Sequence, residues 1–240
     1  MCIVDRLHIK AKQKGNKLDS NHYKDLPPAF IDDYIYDAMF DYVELFWSGK
    51  NYKGYNLGFE VNSQRIDMLS FLIKTETLTG TSQPYGNLTL NVYTLPEDYL
   101  HRVREKGEGE CSGLKIKIVQ HEDLDRTLSD EYKRPSNKWS NAVGVYRDSQ
   151  LYVYSETVIP TIEVQYIKKP VKTFIGGYDT LEFLNGNITY PSQSSLKVDS
   201  EFPEQYCDIL IDIMIQNVFG DMKDYNEASY RQQKIINKTF

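Results

Sequence analysis

Histidines, paired carboxylates, cysteines and glycine-rich turns are the places where this 240-residue chain would carry chemistry. The histidines are His8, His22, His101 and His121, and none has a second histidine four residues away to set two imidazole ligands on one helical face. The nearest approach to a metal motif is His121-Glu122-Asp123-Leu124-Asp125. It lacks the second histidine of H-E-x-x-H and follows a strand pattern, so it reads as a solvated turn. There is no Walker phosphate loop, no G-x-G-x-x-G and no G-x-S-x-G elbow. The stretch KGEGECSG has glycines but also glutamates that repel phosphate, and Cys111 within it has no local base to activate a thiolate. Asp32-Asp33 and Glu97-Asp98 are adjacent acids, which diverge on a helix and suit the positive end of its dipole. The expectation is a protein without catalytic residues, cofactor or metal.

The bulk composition narrows the class further. A net charge of −6 opposes tight nonspecific binding to nucleic acid, which depends on cations displacing counterions at phosphates. Cys2, Cys111 and Cys207 form no C-x-x-C pair and are odd in number, which argues against a disulfide framework and a structural zinc site and fits synthesis in a reducing compartment. Charges in MCIVDRLHIKAKQKG occupy the place where a signal peptide needs an apolar run, so neither a secretion signal nor a membrane anchor is expected. Nineteen tyrosines fit two readings, wet protein interfaces or tyrosine-rich strands.

The elements that would position any site follow from periodicity. A charged helix is expected from Ile3 to Lys14, and a second from Pro27-Pro28 to Gly49, with Ile31, Ile35, Ala38, Met39 and Tyr42 inward and Asp33, Asp37, Asp41 and Glu44 wet. A third, short helix starts at Asn62 or Ser63 and carries Leu69, Phe71, Leu72 and Ile73. The middle then alternates. NLTLNVY sets Leu88, Leu90 and Val92 against Thr89 and Asn91, GLKIKIVQ is a second strand, and a short helix over TLPEDYLHRVREKG lies between them. AVGVYRDSQLYVYSE reads as a hairpin, TIEVQYIKKP as a strand, and LEFLNGNITY as two short strands about Asn185-Gly186. Near the end, EFPEQYCDILIDIMIQNVFGDMKDYNEASYRQQKI reads as two helices. In the first of them Asp208, Asp212 and Gln216 form a narrow polar stripe on an otherwise apolar surface.

The expected fold is therefore α+β. Helices of 1–80 and 200–240 form one bundle, and an antiparallel β-rich domain of 81–199 is inserted between them. The long polar segment Asp123 to Asn141 carries Tyr132 and Trp139 among Arg126, Lys133, Arg134 and Lys138, the composition of a protein-contact loop. A β-rich module binding carbohydrate, or another tail component, through exposed tyrosines is the alternative class.

Several stretches together resemble the head-to-tail ring proteins of crAss-like bacteriophages and, more distantly, the tail tubular A or adaptor proteins of short-tailed phages. They are NKLDSNHYKDLPPAFIDDYIYDAMFDYVE, YTLPEDYLHRVR, LDRTLSDEYKRPS with SQLYVYSE, IEVQYIKKP and FPEQYCDILIDIMIQNVFGDMKDYNEASYRQQ, in that order. The resemblance implies a structural virion protein of the neck, assembled in the host cytoplasm. It would form a ring, commonly twelvefold, beneath the portal, contact other neck and tail rings, and let genomic DNA pass without binding it specifically or touching a membrane. It makes Tyr132, Arg134 and Trp139 candidates for contacts between rings or subunits. Tyr225, Tyr230, Ile235, Ile236 and Phe240 become candidate portal anchors, and Asp208 and Asp212 candidates for an acidic channel wall.

Overall fold

A computed structural model describes residues 2–14, 28–47, 67–108, 113–176, 182–184, 187–189, 197–221, 229–230 and 232–233. The chain divides into two compact units, 72–169 and the flanking 1–71 with 170–240.

The inner unit is a barrel of seven strands: β1 (Ile73–Tyr85), β2 (Leu88–Thr94), β3 (Tyr99–Glu108), β4 (Leu114–Ile118), β5 (Asn141–Arg147), β6 (Gln150–Ser155) and β7 (Thr161–Lys168). They close in the order β1-β2-β6-β5-β4-β3-β7, so no edge strand is left unpaired. β1 makes closure possible by serving two neighbours in turn. Ile73 to Thr79 pair with β7, and Gly80 to Tyr85 pair with β2. At the changeover, a Cβ on Gly80 would lie 2.5 Å from the Tyr93 ring and 2.9 Å from the Val92 carbonyl, so only glycine lets the ring lie against this corner. The Tyr93 hydroxyl is fixed in turn by donating to the Ile159 carbonyl at 2.5 Å.

Alternation fills the barrel with Leu114, Ile116, Leu151, Val153, Ile162 and Val164. In β2 the buried set differs from the expected one. Asn91 and Tyr93 are both fully buried, whereas Val92 is only half-buried. A buried asparagine is tolerable because its amide is satisfied on both sides. Its Nδ2 donates to Ser155 Oγ at 2.8 Å and to the Val153 carbonyl at 3.3 Å, and its Oδ1 accepts from Ile159 N at 3.1 Å and Ser82 Oγ at 2.6 Å. Asn91 thereby ties the β6–β7 connection to β2.

All strand pairs are antiparallel except β4 and β5, which run parallel with Lys115 opposite Asn141. Parallel neighbours cannot be joined by a tight turn and need a crossover of a dozen or more residues. Residues 119–140 supply it, with 3-10 turns at His121–Asp123 and Asn137–Trp139 around the short helix α3 (Leu124–Ser129).

In the flanking unit are α1 (Val4–Lys14), α2 (Pro28–Trp47) and α4 (Cys207–Asp221), and a hairpin of β8 (Glu182–Leu184) with β9 (Asn187–Thr189). α4 is buried nearly all round and packs on α2 and α1. Tyr42 of α2 meets Phe202 edge-on at 5.3 Å and Phe46 at 4.5 Å, and Phe71 contacts Phe202 at 4.8 Å. Cys2 and Cys207 are joined as a disulfide, their Cα atoms 6.0 Å apart. This corrects the expectation drawn from cysteine spacing. The pair is 205 residues apart in sequence and is brought together by a backbone ladder, Cys2 N to the Phe202 carbonyl at 2.7 Å and Ser200 N to the Cys2 carbonyl at 3.1 Å.

The expected α+β fold, a bundle of terminal helices around an inserted antiparallel domain, is overturned. The middle of the chain closes into a seven-stranded barrel, one strand pair is parallel, and a helix lies within the barrel's own crossover. The missing element was β1. Ile73 opens it instead of ending a helix, and only a 3-10 turn (Ser70–Leu72) precedes it. The helix expected over TLPEDYLHRVREKG is the turn at 95–98 followed by β3, because pairing with β7 outweighs the capping pattern of Thr94 and Glu97. Asn62, Ser63, Gly49 and Asn185-Gly186 lie outside the described residues.

Replacing Asn91 by Ala should cost about 2–3 kcal/mol, because it strands the Ile159 N–H in an apolar interior. Chemical denaturation of the purified variant measures it, and a loss under about 0.5 kcal/mol would show that the asparagine network is dispensable.

Candidate functional site: an aromatic and basic turn on the barrel crossover

Topology explains why the 119–140 connection is long but not what it displays. Tyr132 is 92% exposed and Trp139 74% exposed, the two most exposed large hydrophobic side chains described. Between them the sequence YKRPSNKW has three cations and no acid. Lys133 leans on Asp130 at 3.3 Å, and the Lys138 ammonium sits 5.6 Å from the centre of the Trp139 ring. Arg134 is exposed.

The display is held from below. Pro135 is buried, Ser136 bridges to Asn141, and Asn137 N donates to Glu156 Oε2 at 2.7 Å. The Thr157 hydroxyl donates to Asn137 Oδ1 at 3.3 Å. Ser140 takes a left-handed φ of 48°, ending the 3-10 turn and returning the chain into β5. On the other side, Asp130 Oδ1 accepts from Tyr132 N at 2.9 Å, and this bond lowers the Asp130 carboxyl below its usual range, helped by Lys133. The two rings are thus set on a turn whose backbone is already ordered, so a partner would not bear that ordering entropy. Beside the turn, Lys117, Arg126 and Lys133 line a groove of about 400 Å³ with Asp123.

A second opening of about 570 Å³ lies where the β2–β3 and β5–β6 turns meet, between Tyr99, Tyr146, Glu97, Arg147 and Lys169. Its polar groups are mutually occupied. The Tyr146 hydroxyl donates to Glu105 Oε1 at 2.5 Å, Lys169 Nζ donates to the Glu97 carbonyl at 2.9 Å, and Arg147 Nε pairs with Asp148 at 3.2 Å. Burial first, then the Glu105 carboxylate, pushes the Tyr146 phenol far up, so it stays a donor.

Of the two acidic pairs considered from sequence, Asp32 and Asp33 diverge. Asp32 is buried and 2.7 Å from His8 Nε2, with Ile175 N donating to its other oxygen at 3.1 Å, while Asp33 pairs with Lys172 at the surface. Asp98 meets a different carboxylate from the one beside it in sequence. The Tyr166 hydroxyl lies 2.7 Å from Asp98 Oδ1 and 3.0 Å from Glu76 Oε2, and Lys74 reaches both acids, at 3.1 and 3.2 Å. Sequence reasoning missed this cluster because Lys74 and Glu76 belong to the unrecognised β1. Its single cation ties both carboxylates, which makes it a cross-strand staple.

The polar stripe of α4 has a partner. Lys10 and Lys14 of α1 reach Asp208 at 2.9 and 3.3 Å, and Lys14 reaches Asp212 at 3.4 Å. Asp212 is fully buried, so as a channel-facing residue it is corrected, and the other stripe acid, Asp208, is held by two ammonium groups. Tyr230 is exposed. Tyr225, Ile235, Ile236 and Phe240 lie outside the described residues, as does Cys111. Among the described residues, no three His, Cys, Asp or Glu side chains gather to hold a metal ion, and no helix is long and apolar enough to cross a membrane.

No model of a known protein family matches the chain, and no curated protein matches it.

The Lys10 hydrogen bond, with Lys14 nearby, holds the Asp208 carboxyl down at about 2. A depressed carboxyl stabilises the fold above its unfolded value of roughly 3.9 and loses that contribution as pH falls toward the folded value. Asp208→Asn should therefore be less stable than the parent near neutrality, by at most about 1 kcal/mol for so exposed a pair. The deficit should shrink below pH 4 and vanish only as pH falls through and below about 2, as thermal melts across that range would record.

Proposed function

We propose that this chain is a structural, non-enzymatic protein of a bacteriophage virion. In this reading it is a ring-forming head-to-tail connector beneath the portal that joins capsid to tail and lets the genome pass. The observation that carries the proposal is the Tyr132–Trp139 turn. It sets two large aromatic rings and three cations in solvent on a pre-ordered backbone, which is how a rigid protein contact is built and a poor way to build a catalytic cleft. The order of motifs shared with the ring proteins of crAss-like phages gives the contact its setting. The net charge of −6 suits a protein that DNA slides past.

The carbohydrate-binding alternative requires an exposed aromatic row on one sheet face. Tyr93, Tyr154 and Tyr166 of the barrel are instead buried, and Tyr99 and Tyr146 are stacked on each other at 5.9 Å.

Light scattering and negative-stain images of the purified chain, alone and mixed with its phage's portal protein, test the proposal. Closed rings, or a subunit that joins the portal in a stoichiometric ring, are expected. A stable monomer or trimer indifferent to portal would overturn it.

A further inference from the structure

The exposed side of α2 is as one-sided in charge as the crossover turn. Pro28, Phe30, Asp33, Asp37, Asp41 and Glu44 are its exposed residues, and the opposite side, with Ile31, Ile35, Ala38, Met39, Tyr42 and Phe46, is buried. Acids four apart on a helix repel. The strain registers at Asp37, whose carboxyl is raised above its usual range by partial burial and then by Asp41 and Asp33. Asp33 of this row pairs with Lys172, while Asp41 accepts from the uncharged amide of Asn217 at 2.7 Å. Over Asp33 to Glu44 the row extends for about 16 Å, at about 1.5 Å per residue.

The turn at 132–139 has the complementary character: Lys133, Arg134 and Lys138 between two exposed rings, with no acid in the stretch. We propose that the Tyr132–Trp139 turn of one subunit docks on the acidic outer face of α2 in a second copy. In this contact Lys133, Arg134 and Lys138 face Asp37 and Asp41, and a ring of the turn covers Phe30. The inference rests on the connector reading and names the contact that would build its ring. The two surfaces are different parts of the chain, so the contact is heterologous. Each subunit keeps one free surface of each kind and the pairing propagates head to tail, as a closing ring requires. Cations delivered to α2 would also relieve the repulsion at Asp37, and the attraction would weaken with salt.

Two full-length variants test this. Lys133→Gln with Arg134→Gln and Lys138→Gln discharges the turn and leaves α2 intact; Asp37→Asn with Asp41→Asn does the reverse. All five residues are exposed, so both variants should keep the parent's circular dichroism and melting temperature. The wild-type chain should self-associate at low salt, and each variant alone should stay at the subunit mass of 28.0 kDa. Mixed, the two variants should form a dimer of twice that mass and grow no further, because one intact turn meets one intact helix face. Trp139→Ala, which touches no charge, should weaken wild-type association about thirtyfold or more.

Variants that assemble like the wild type, or a mixture that stays at subunit mass while the wild type assembles, would overturn the docking and leave the connector reading standing. A wild-type chain that remains single at every concentration would also overturn it. The connector reading would then be decided by the portal mixture alone.

Discussion

Barrel closure turns on the double pairing of β1. A strand that serves β7 along its first half and β2 along its second must bend between Thr79 and Gly80, and the bend is where Tyr93 lies against the backbone. Once that ring is placed, with its hydroxyl on the Ile159 carbonyl, the β6–β7 connection is drawn across the barrel, where Asn91 secures it with a second bond to the same residue. The parallel β4–β5 pair requires a long crossover, and the crossover carries the exposed turn. A second tight contact supports that pair. Gly144 of β5 lies where a Cβ would come within 2.9 Å of Ile116 and Ile118 of β4, so the two strands approach as only a missing side chain permits.

The flanking unit is organised around a helix with too much apolar surface to leave wet. α4 buries Leu210, Ile211, Met214 and Ile215 in nearly every direction, and its acids Asp208 and Asp212 are met by lysines projecting from α1. The buried His8–Asp32 pair joins α1 to α2, and the Asp199 carboxylate accepts from Val4 N at 2.9 Å, capping the first turn of α1 from a distant part of the chain. Burial beside the aromatic cluster has one cost. The Tyr42 hydroxyl is buried without a hydrogen-bond partner among the described residues, and its phenol is raised strongly by desolvation.

Local pattern was enough to find α1, α2 and α4 and the strands β2, β4, β5, β6 and β7, because each has a long apolar repeat or a clear alternation bounded by a turn. It was not enough for β1. The run Thr75 to Pro84 is mostly polar and exposed and contains a glycine and a proline, so nothing local marks it as the strand that closes a barrel. Without it, β3 kept its helix-like capping spacing and the region read as an antiparallel β-rich domain with no sign of closure. Asn91 misled for a related reason. An asparagine between leucine and valine reads as solvent-facing unless the distant Ser82, Ser155 and Ile159 that satisfy it are known. Tyr132 and Trp139 were legible, since large rings in a polar, aperiodic stretch have no packing role to explain them. The parallel pairing that accounts for the length of that stretch was not. The acidic row of α2 was equally plain, but as a wet face only.

The strands that begin and end the barrel are paired with each other, Ile73 opposite Ile167. A module whose two ends emerge side by side can be spliced into a surface turn of a host fold without stretching the host, since the gap it must bridge is no wider than one strand spacing, about 4.8 Å. The same geometry makes it replaceable. A lineage could exchange residues 72–169 for a barrel with a different crossover, and so change the turn it displays, while the helices of the flanking unit kept their own sequence.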